Sequence, residues 1–447
     1  MEKKIPATRS FHFFGNHGAL RNDTLGYINQ TSQQLGHFFK IRAAVFPVLI
    51  TTDPAIAQHL LQKNNKNYGK GRGYRVMAEF LGEGLLTSEG EHWLKHRRIM
   101  QPAFHKAKLQ ALAQTMLDYT NQSIAAQATG TATDASQWMS ALTMHIAAGT
   151  LFSSDVGDDI DNIYRSFGQI NAFGISMIRQ PMRFLFSKVF KSLRRDFDHN
   201  ARVMDNIIYR IIQNRKQHPM QQHDDLLGLL MEAKDEDTGA PLSDQELRDE
   251  IITLFLAGHE TSANAMTWML YLLALHPGKL ALLKQAVNET TQGQPFAVQH
   301  IYQCPYLHQV IHETLRLFPP AWTIGRRALG PDEVNGYPIK AGDNIMIVVQ
   351  QIHRRRDLWP EPDAFIPERF EPARMKQLPP FAYFPFGGGP RLCIGEHFAM
   401  MEMSLILARI VQEFDWTLED SSKAVKPQTL ITLRPDRPIC IRLQKKR

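Results

Sequence analysis

The feature that most restricts this chain is the run Phe386-Gly-Gly-Gly-Pro-Arg-Leu-Cys-Ile-Gly395, in which one cysteine is surrounded by glycines, an arginine and an aromatic ring. A thiolate held in an apolar pocket needs backbone N–H groups aimed at its sulfur and a metal cation opposite. Glycines at 387, 388, 389 and 395 let the backbone approach that closely. The residues alone leave two readings open: a metal-bound thiolate, or a glycine-rich turn before a helix with a buried structural cysteine.

Size bears on the choice. At 447 residues the chain exceeds the ceiling of roughly 250 to 300 for one hydrophobic core, so it contains either two domains or a core built around something large. Hydrophobic residues make up 43% and charged residues 21%, which argues for a chain folded throughout. The cysteines, at 304, 393 and 440, lack paired ligand spacing and suggest neither a disulfide framework nor a zinc site. A reducing compartment fits them. The start, Met1-Glu-Lys-Lys-Ile-Pro, is charged with no apolar run behind it, so neither a secretory signal nor a membrane anchor is expected and the location is expected to be cytoplasmic. The apolar stretch Met266 to Leu275 is too short to span a bilayer and reads as a buried helix. A formal charge of +7 is too diffuse to indicate nucleic-acid binding.

The order of elements is mainly helical with small β regions. Residues Phe38 to Thr52 are rich in β-formers around a proline and predict a hairpin, in a β-rich part covering about 38–55. A second β region, about 334–350, contains Asn-Gly and Ala-Gly-Asp turns beside Ile345-Met-Ile-Val-Val. The clearest helix starts after Leu242, where Ser243 and Glu246 form a capping box, and stops before His276-Pro-Gly. It crosses roughly 50 Å at about 1.5 Å per residue. The polar run from Asn214 to Asp225 reads as an exposed loop. Without a repeat or linker, residues 1–447 are expected to form one domain.

Three further constellations carry chemistry. Ala257-Gly-His-Glu-Thr-Ser262 places an acid beside an alcohol within the long helix, where burying them requires hydrogen bonds. Glu313 and Arg316 sit three apart on one helical face, the spacing of an ordinary local ion pair. Trp93 and Arg97 put an indole N–H and a guanidinium one turn apart, and both could bind a carboxylate.

The pattern Phe-x-x-Gly-x-Arg-x-Cys-x-Gly resembles the haem-binding loop of the cytochrome P450 family, the haem-thiolate monooxygenases. The other motifs follow in that family's order from Trp93 to Gly395, so the resemblance covers essentially the whole chain. It implies a mainly α fold with small β-sheets, in which haem b (iron protoporphyrin IX) lies buried between the long helix and the cysteine loop. Cys393 would be the proximal iron ligand, Phe386 would pack near the sulfur, Gly389 and Gly395 would shape the loop, and Arg391 would pair with a propionate. Trp93, Arg97 and Arg326 would serve the propionates as well; spacing to Asn335-Gly336 favours Arg326, with Arg327 as the alternative. On the distal side, Ala257 and Gly258 would leave room for oxygen, Thr261 would hold dioxygen and water, and Glu260 would relay protons. His259 is read as a satisfied polar residue. Glu313, Arg316 and Arg369, the last in Pro367-Glu-Arg-Phe370, would form a structural network beneath the cysteine. Met77, Phe167, Phe173, Met177, Trp322, Ile324 and Leu430 would line a pocket for a hydrophobic substrate, fatty acid-like or terpenoid-like.

The implied reaction inserts one atom of O2 into a C–H bond and reduces the other to water. A thiolate opposite dioxygen favours O–O cleavage over storage. No Gly-x-Gly-x-x-Gly fingerprint follows a strand and no flavin or iron–sulfur module is evident, so no fused reductase is expected. Electrons would come from NAD(P)H through a separate ferredoxin or flavodoxin and its reductase. Such a donor would dock near Cys393, where Lys95, Arg97, Arg98 and Lys106 could contribute. A peroxide-driven peroxygenase and a haem-based sensor are the alternatives; the intact Glu260 and Thr261 pair counts against both.

Overall fold

The computed structural model describes residues 3–8, 16–43, 46–153, 162–163, 165–166, 168–170, 173, 188–218, 225–235 and 237–446. Helices α1 (Arg72–Leu81), α2 (Gly90–Met100), α3 (Lys106–Ala125), α4 (Ala135–Phe152) and α5 (Lys188–Gln217) precede α6 (Asp244–Leu275), the longest among the described residues. After it come α7 (Pro277–Thr291), α8 (Pro305–Leu317) and α9 (Glu396–Glu413).

Helix α6 organises the core. Ser243 caps it as the sequence predicts, accepting from the Glu246 N–H while the Glu246 side chain accepts from the Ser243 N–H. Its 32 residues span about 48 Å at ~1.5 Å per residue, and it ends at His276, where Pro277 starts α7 at a 111° bend. The run Ser262 to Leu273 is buried on every side, the signature of a helix surrounded by protein. Helices α4, α8 and α9 pack along it. Among the described residues no single helix is long and apolar enough to cross a membrane.

One sequence expectation fails here. Residues Asn214 to Gln217 complete α5 instead of forming a loop, while 219–224 of that expected loop lie outside the described residues. Their polarity misleads because Arg215 points inward, where its guanidinium donates to both Asp225 oxygens at 2.6 Å and to the Phe152 carbonyl at 2.9 Å. A charge can be buried when its hydrogen bonds are met this way.

Strands β1 (Phe38–Ala43) and β2 (Phe46–Thr51) form the expected antiparallel hairpin. After them along the chain come β3 (Tyr68–Lys70) and β4 (Ile324–Ala328), a separate hairpin β5 (Asp332–Val334) and β6 (Tyr337–Ile339), and β7 (Asn344–Ile347). Asn335 and Gly336, both at positive φ (53° and 81°), turn β5 into β6. β7 leaves that hairpin and pairs parallel to β2 and antiparallel to β4, giving a sheet of order β1-β2-β7-β4-β3. The second β region is therefore divided between a hairpin and this sheet. A last hairpin, β8 (Pro427–Thr429) with β9 (Leu433–Pro435), reaches back toward α6.

A buried ionic network joins α8 to the cysteine loop. Glu313 and Arg316 are wholly buried and form a bidentate pair at 2.6 and 2.8 Å. The other Arg316 donors reach the carbonyls of His353 (2.9 Å), Pro362 (2.8 Å) and Ala364 (3.1 Å), so every N–H of the guanidinium is used. Arg369 approaches Glu313 at 3.4 Å and donates to the Glu361 carbonyl, completing the triad expected from the sequence. His353 extends the network: its Nε2 accepts the Phe384 N–H at 3.0 Å, just ahead of the cysteine loop. Burial, with Arg316 beside it, lowers the His353 pKa to about 3 and keeps the ring neutral.

Glu402 is the opposite case. It lies on α9, wholly buried, and neither of its oxygens makes a hydrogen bond of normal geometry among the described residues. Burial pushes its carboxyl up to about 8, with the Ser262 hydroxyl on α6 pulling the other way.

Two outcomes follow for stability. Arg316→Ala leaves Glu313 buried and unpaired, so chemical denaturation should show a loss of about 3–5 kcal/mol. For Glu402 the folded pKa is raised from its ordinary 4.5 to about 8. Its contribution is therefore fully present below about 4.5 and lost as pH rises through about 8. Glu402→Gln should flatten the decline in stability across that window, measured by denaturation at several pH values.

Candidate active site

The cysteine loop is fixed by backbone geometry. Gly387 and Gly389 adopt φ of 77° and 69°, the region that favours glycine. The Cys393 N–H donates to the Phe386 carbonyl at 3.0 Å, and the Gly387 N–H to the Phe384 carbonyl at 3.0 Å, folding the loop on itself. Phe386 is partly buried and packs on the main core. A Cβ at Gly389 would fall 1.9 Å from the Leu61 carbonyl oxygen, so the loop lies directly on the backbone before β3. Gly395 caps α9, and a Cβ there would sit 4.0 Å from the Cys393 sulfur.

Cys393 combines two properties. Its side chain has open surface, yet desolvation dominates its thiol and pushes the pKa up. The residue is thus open on one side, while the protein packed around the sulfur withdraws it from water. The Gly395 N–H and the Arg97 charge favour the thiolate, while the Glu396 carboxylate opposes it.

Positive charge gathers beside this loop. Arg391 donates to the Ser88 carbonyl at 2.8 Å and stacks on the Trp93 ring at 4.0 Å. Arg97, one turn beyond Trp93 on α2, donates to the Leu392 carbonyl at 3.0 Å. Alternation along β4 turns Arg326 inward, buried, and Arg327 the other way, toward Gly342. Directly across from Arg326 in the ladder stands Lys70, which the sequence reading missed. Lys70 donates to the Leu86 carbonyl at 2.7 Å and lies over the Tyr74 ring. Burial depresses Arg326, Arg391 (to about 10) and Lys70, and the mutual repulsion of these cations depresses Arg391 and Lys70 further. Glu89 offsets them as the nearby carboxylate. A set of one desolvated thiol and several crowded cations fits an anionic metal cofactor that carries its own carboxylates.

Ala257 is exposed in the middle of α6, although Phe255 and His259 on either side are buried. Thr261, one turn on, donates its hydroxyl to the Ala257 carbonyl at 2.5 Å. Glu260 points to the β9 hairpin: Arg434 approaches its Oε1 at 2.6 Å, and Thr432 donates to the same oxygen. Asn264 in turn donates to Thr432 at 3.1 Å. Acid and alcohol therefore leave the helix in different directions. His259 faces α4, where its Nε2 meets Ser140 at 3.1 Å, and burial lowers its pKa to about 4.

Of the residues expected from the sequence to line a substrate pocket, Trp322 and Leu430 come together, the indole donating to the Leu430 carbonyl at 3.0 Å. Ile324 lies 3.7 Å from a Cβ position at Gly387, beside the cysteine loop. Met77 packs half-buried on α1. Phe173 is buried against Phe197, with ring centroids 4.5 Å apart. Phe167 and Met177 lie outside the described residues. The proposed docking cations are engaged within the chain: Lys95 with Glu246 (3.0 Å), Arg98 with Asp237 (2.6 Å) and Lys106 over the Tyr302 ring (3.7 Å).

Two kinds of comparison bear on this arrangement. The family model described as Cytochrome P450 matches residues 5–442. Cyclooctatin synthase of Streptomyces melanosporofaciens is 33% identical over 407 residues, covering 90% of this chain and 88% of that protein. Cyclooctat-9-en-7-ol 5-monooxygenase of the same organism is 30% identical over 379 residues, covering 85% and 82%. Protein LUTEIN DEFICIENT 5, chloroplastic, of Arabidopsis thaliana is 28% identical over 427 residues, covering 89% and 70%.

Gly389→Ala should displace the loop, because its Cβ has neither room against Leu61 nor a relaxed φ. The expected result is a lower ratio of haem absorbance to protein absorbance in the purified variant.

Proposed function

Since the chain belongs to the cytochrome P450 family and is a haem monooxygenase, we propose that it oxygenates a hydrophobic small molecule, terpenoid-like or fatty acid-like, using electrons from separate redox proteins. The observation that carries this reading is Cys393 on its glycine loop: the loop folds on itself through the bond from the Cys393 N–H to Phe386, Gly395 and Arg97 favour the thiolate, and crowded cations lie alongside. Apolar Trp322, Ile324, Leu430 and Met77 support a hydrophobic substrate, and the relative named for an alkenol favours a compact unsaturated alcohol. A ferredoxin or flavodoxin supplied by its reductase from NAD(P)H is the electron source that fits, and residues 1–447 act as one haem domain.

Haem b, when bound, supplies the oxygen-activating chemistry. The chain's own groups then have separable tasks. Cys393 provides the thiolate ligand, and the Gly395 N–H together with Arg97 holds its charge. Trp93, Arg97, Arg326, Arg391 and Lys70 would hold the two propionates, which relieves the repulsion among the cations. Ala257 keeps side-chain volume low at the middle of α6. Thr261 gives its Oγ1 proton to the Ala257 carbonyl, so its lone pairs accept from a water or a protonated oxygen. Glu260 moves protons at its carboxylate, and Arg434 and Thr432 fix that group at Oε1. Glu313, Arg316 and Arg369 hold the floor beneath Cys393 and take no part in proton movement.

The test compares electron consumption with product formation, using a hydrophobic alkenol or fatty acid selected by its shift of the haem spectrum. Ferredoxin, its reductase and NADPH should support product, and Thr261→Ala should keep consuming NADPH while product falls at least several-fold. Unchanged coupling in Thr261→Ala would remove the hydroxyl from proton delivery. Product formed with peroxide and not with the reductase system would replace the electron-donor reading with a peroxygenase.

A further inference from the structure

Away from the cysteine loop, α2 and the first turns of α6 bring together a second set of metal-binding groups. His92 and His96 stand one turn apart on α2, their rings 4.1 Å apart at an interplanar angle of 37°. Glu246 and Glu250 stand one turn apart on α6 and face them. One ring nitrogen of each histidine and a carboxylate oxygen of Glu246 all lie within 4.8 Å of one another. Two histidines at i and i+4 on a helix are spaced to share one ion. Tetrahedral zinc with bonds of about 2.0 Å holds its ligands roughly 3.3 Å apart. His96 Nε2 and Glu246 Oε1 are already 3.1 Å apart.

The outer contacts of both rings are a second, independent sign. His96 Nδ1 lies 2.6 Å from Glu250 Oε1, and both groups are wholly buried. A metal-bound imidazole characteristically donates its other N–H to a carboxylate in this way, which fixes the ring and raises its basicity. His92 is oriented likewise: its Nε2 donates to the Glu83 carbonyl at 3.1 Å, leaving Nδ1 as its remaining ligand atom. His92 is half-buried and Glu246 partly exposed, so an ion can enter from solvent. Two contacts compete for Glu246 Oε1: the hydrogen bond from His96 Nε2, whose proton zinc must displace, and Lys95, whose ammonium lies 3.0 Å away on a partly exposed side chain that can swing aside.

We propose that His92, His96 and Glu246 form a zinc-binding site, with Glu250 orienting His96 and the fourth position left to water. Imidazole and carboxylate donors suit zinc, and a set of three protein ligands leaves one position open. The cysteines gave no zinc signal in the sequence, and this site uses none of them. The ion would tie α2, which carries Trp93 and Arg97, to α6, which carries Glu260 and Thr261.

The test uses the haem-loaded protein dialysed against micromolar zinc, with zinc and iron counted by mass spectrometry. One zinc per chain is expected in the unaltered protein and none at this site in His92→Ala, with haem content and absorbance spectrum retained. Glu246→Gln should also lose the ion, whereas Lys95→Met should bind it several-fold more tightly in competition with a chromophoric chelator. Zinc should raise the melting temperature of the unaltered protein and leave that of His92→Ala unmoved. Equal zinc content in the unaltered protein and His92→Ala, or none in either, overturns the proposal.

Discussion

The guanidinium of Arg316 fixes the geometry on which the cysteine loop rests. It is wholly buried, and each of its donors has an acceptor: two on Glu313 and three on the carbonyls of His353, Pro362 and Ala364. A buried pair of this kind contributes little net stability, because desolvation offsets most of the attraction. What it supplies is position. The helix that carries Glu313 and two later stretches of chain, at His353 and at Pro362 to Ala364, must meet one planar fork, and His353 passes that register to Phe384. From Phe384 a short chain of backbone hydrogen bonds leads to Gly387, Phe386 and Cys393.

The two faces of the site differ in how charge is held. Around the loop, Arg326, Arg391 and Lys70 crowd together and are offset by Glu89. On α6, Glu260 is neutralised directly by Arg434 and held by Thr432. The first arrangement invites an anionic partner, and the second positions an acid without leaving it bare. Helix α2 connects the two faces, with Trp93 and Arg97 on the loop side and Lys95 and His96 reaching Glu246 on α6.

What the sequence disclosed was local. The limits of α6 are written in Ser243, Glu246 and His276-Pro277, because caps and breakers act within a few residues. The cysteine loop is legible for the same reason: its glycines, arginine and ligand are contiguous. Glu313 and Arg316 share one helical turn, and Arg369 was added by resemblance to a known pattern. The groups that were missed depend on partners far along the chain. Lys70 acquires its place from the β3–β4 ladder, His353 from Phe384, and Arg434 from Glu260, 174 residues earlier. Such contacts leave no periodicity to read. Arg215 shows the converse error, a buried ion pair with Asp225 concealed in a run that looks like solvent-exposed loop.

The crowding of Lys70 against Arg326 has a consequence for the life of the protein in a cell. A fold that gathers like charges around one spot stores repulsion that an arriving dianion discharges, so occupancy and folding are linked equilibria. Chains that outnumber the haem supply stay nearer the threshold of unfolding and are exposed longer to proteases. Where haem meets these cations as proposed, its supply would bear on the abundance of the enzyme, through a pair of side chains facing each other across two short strands.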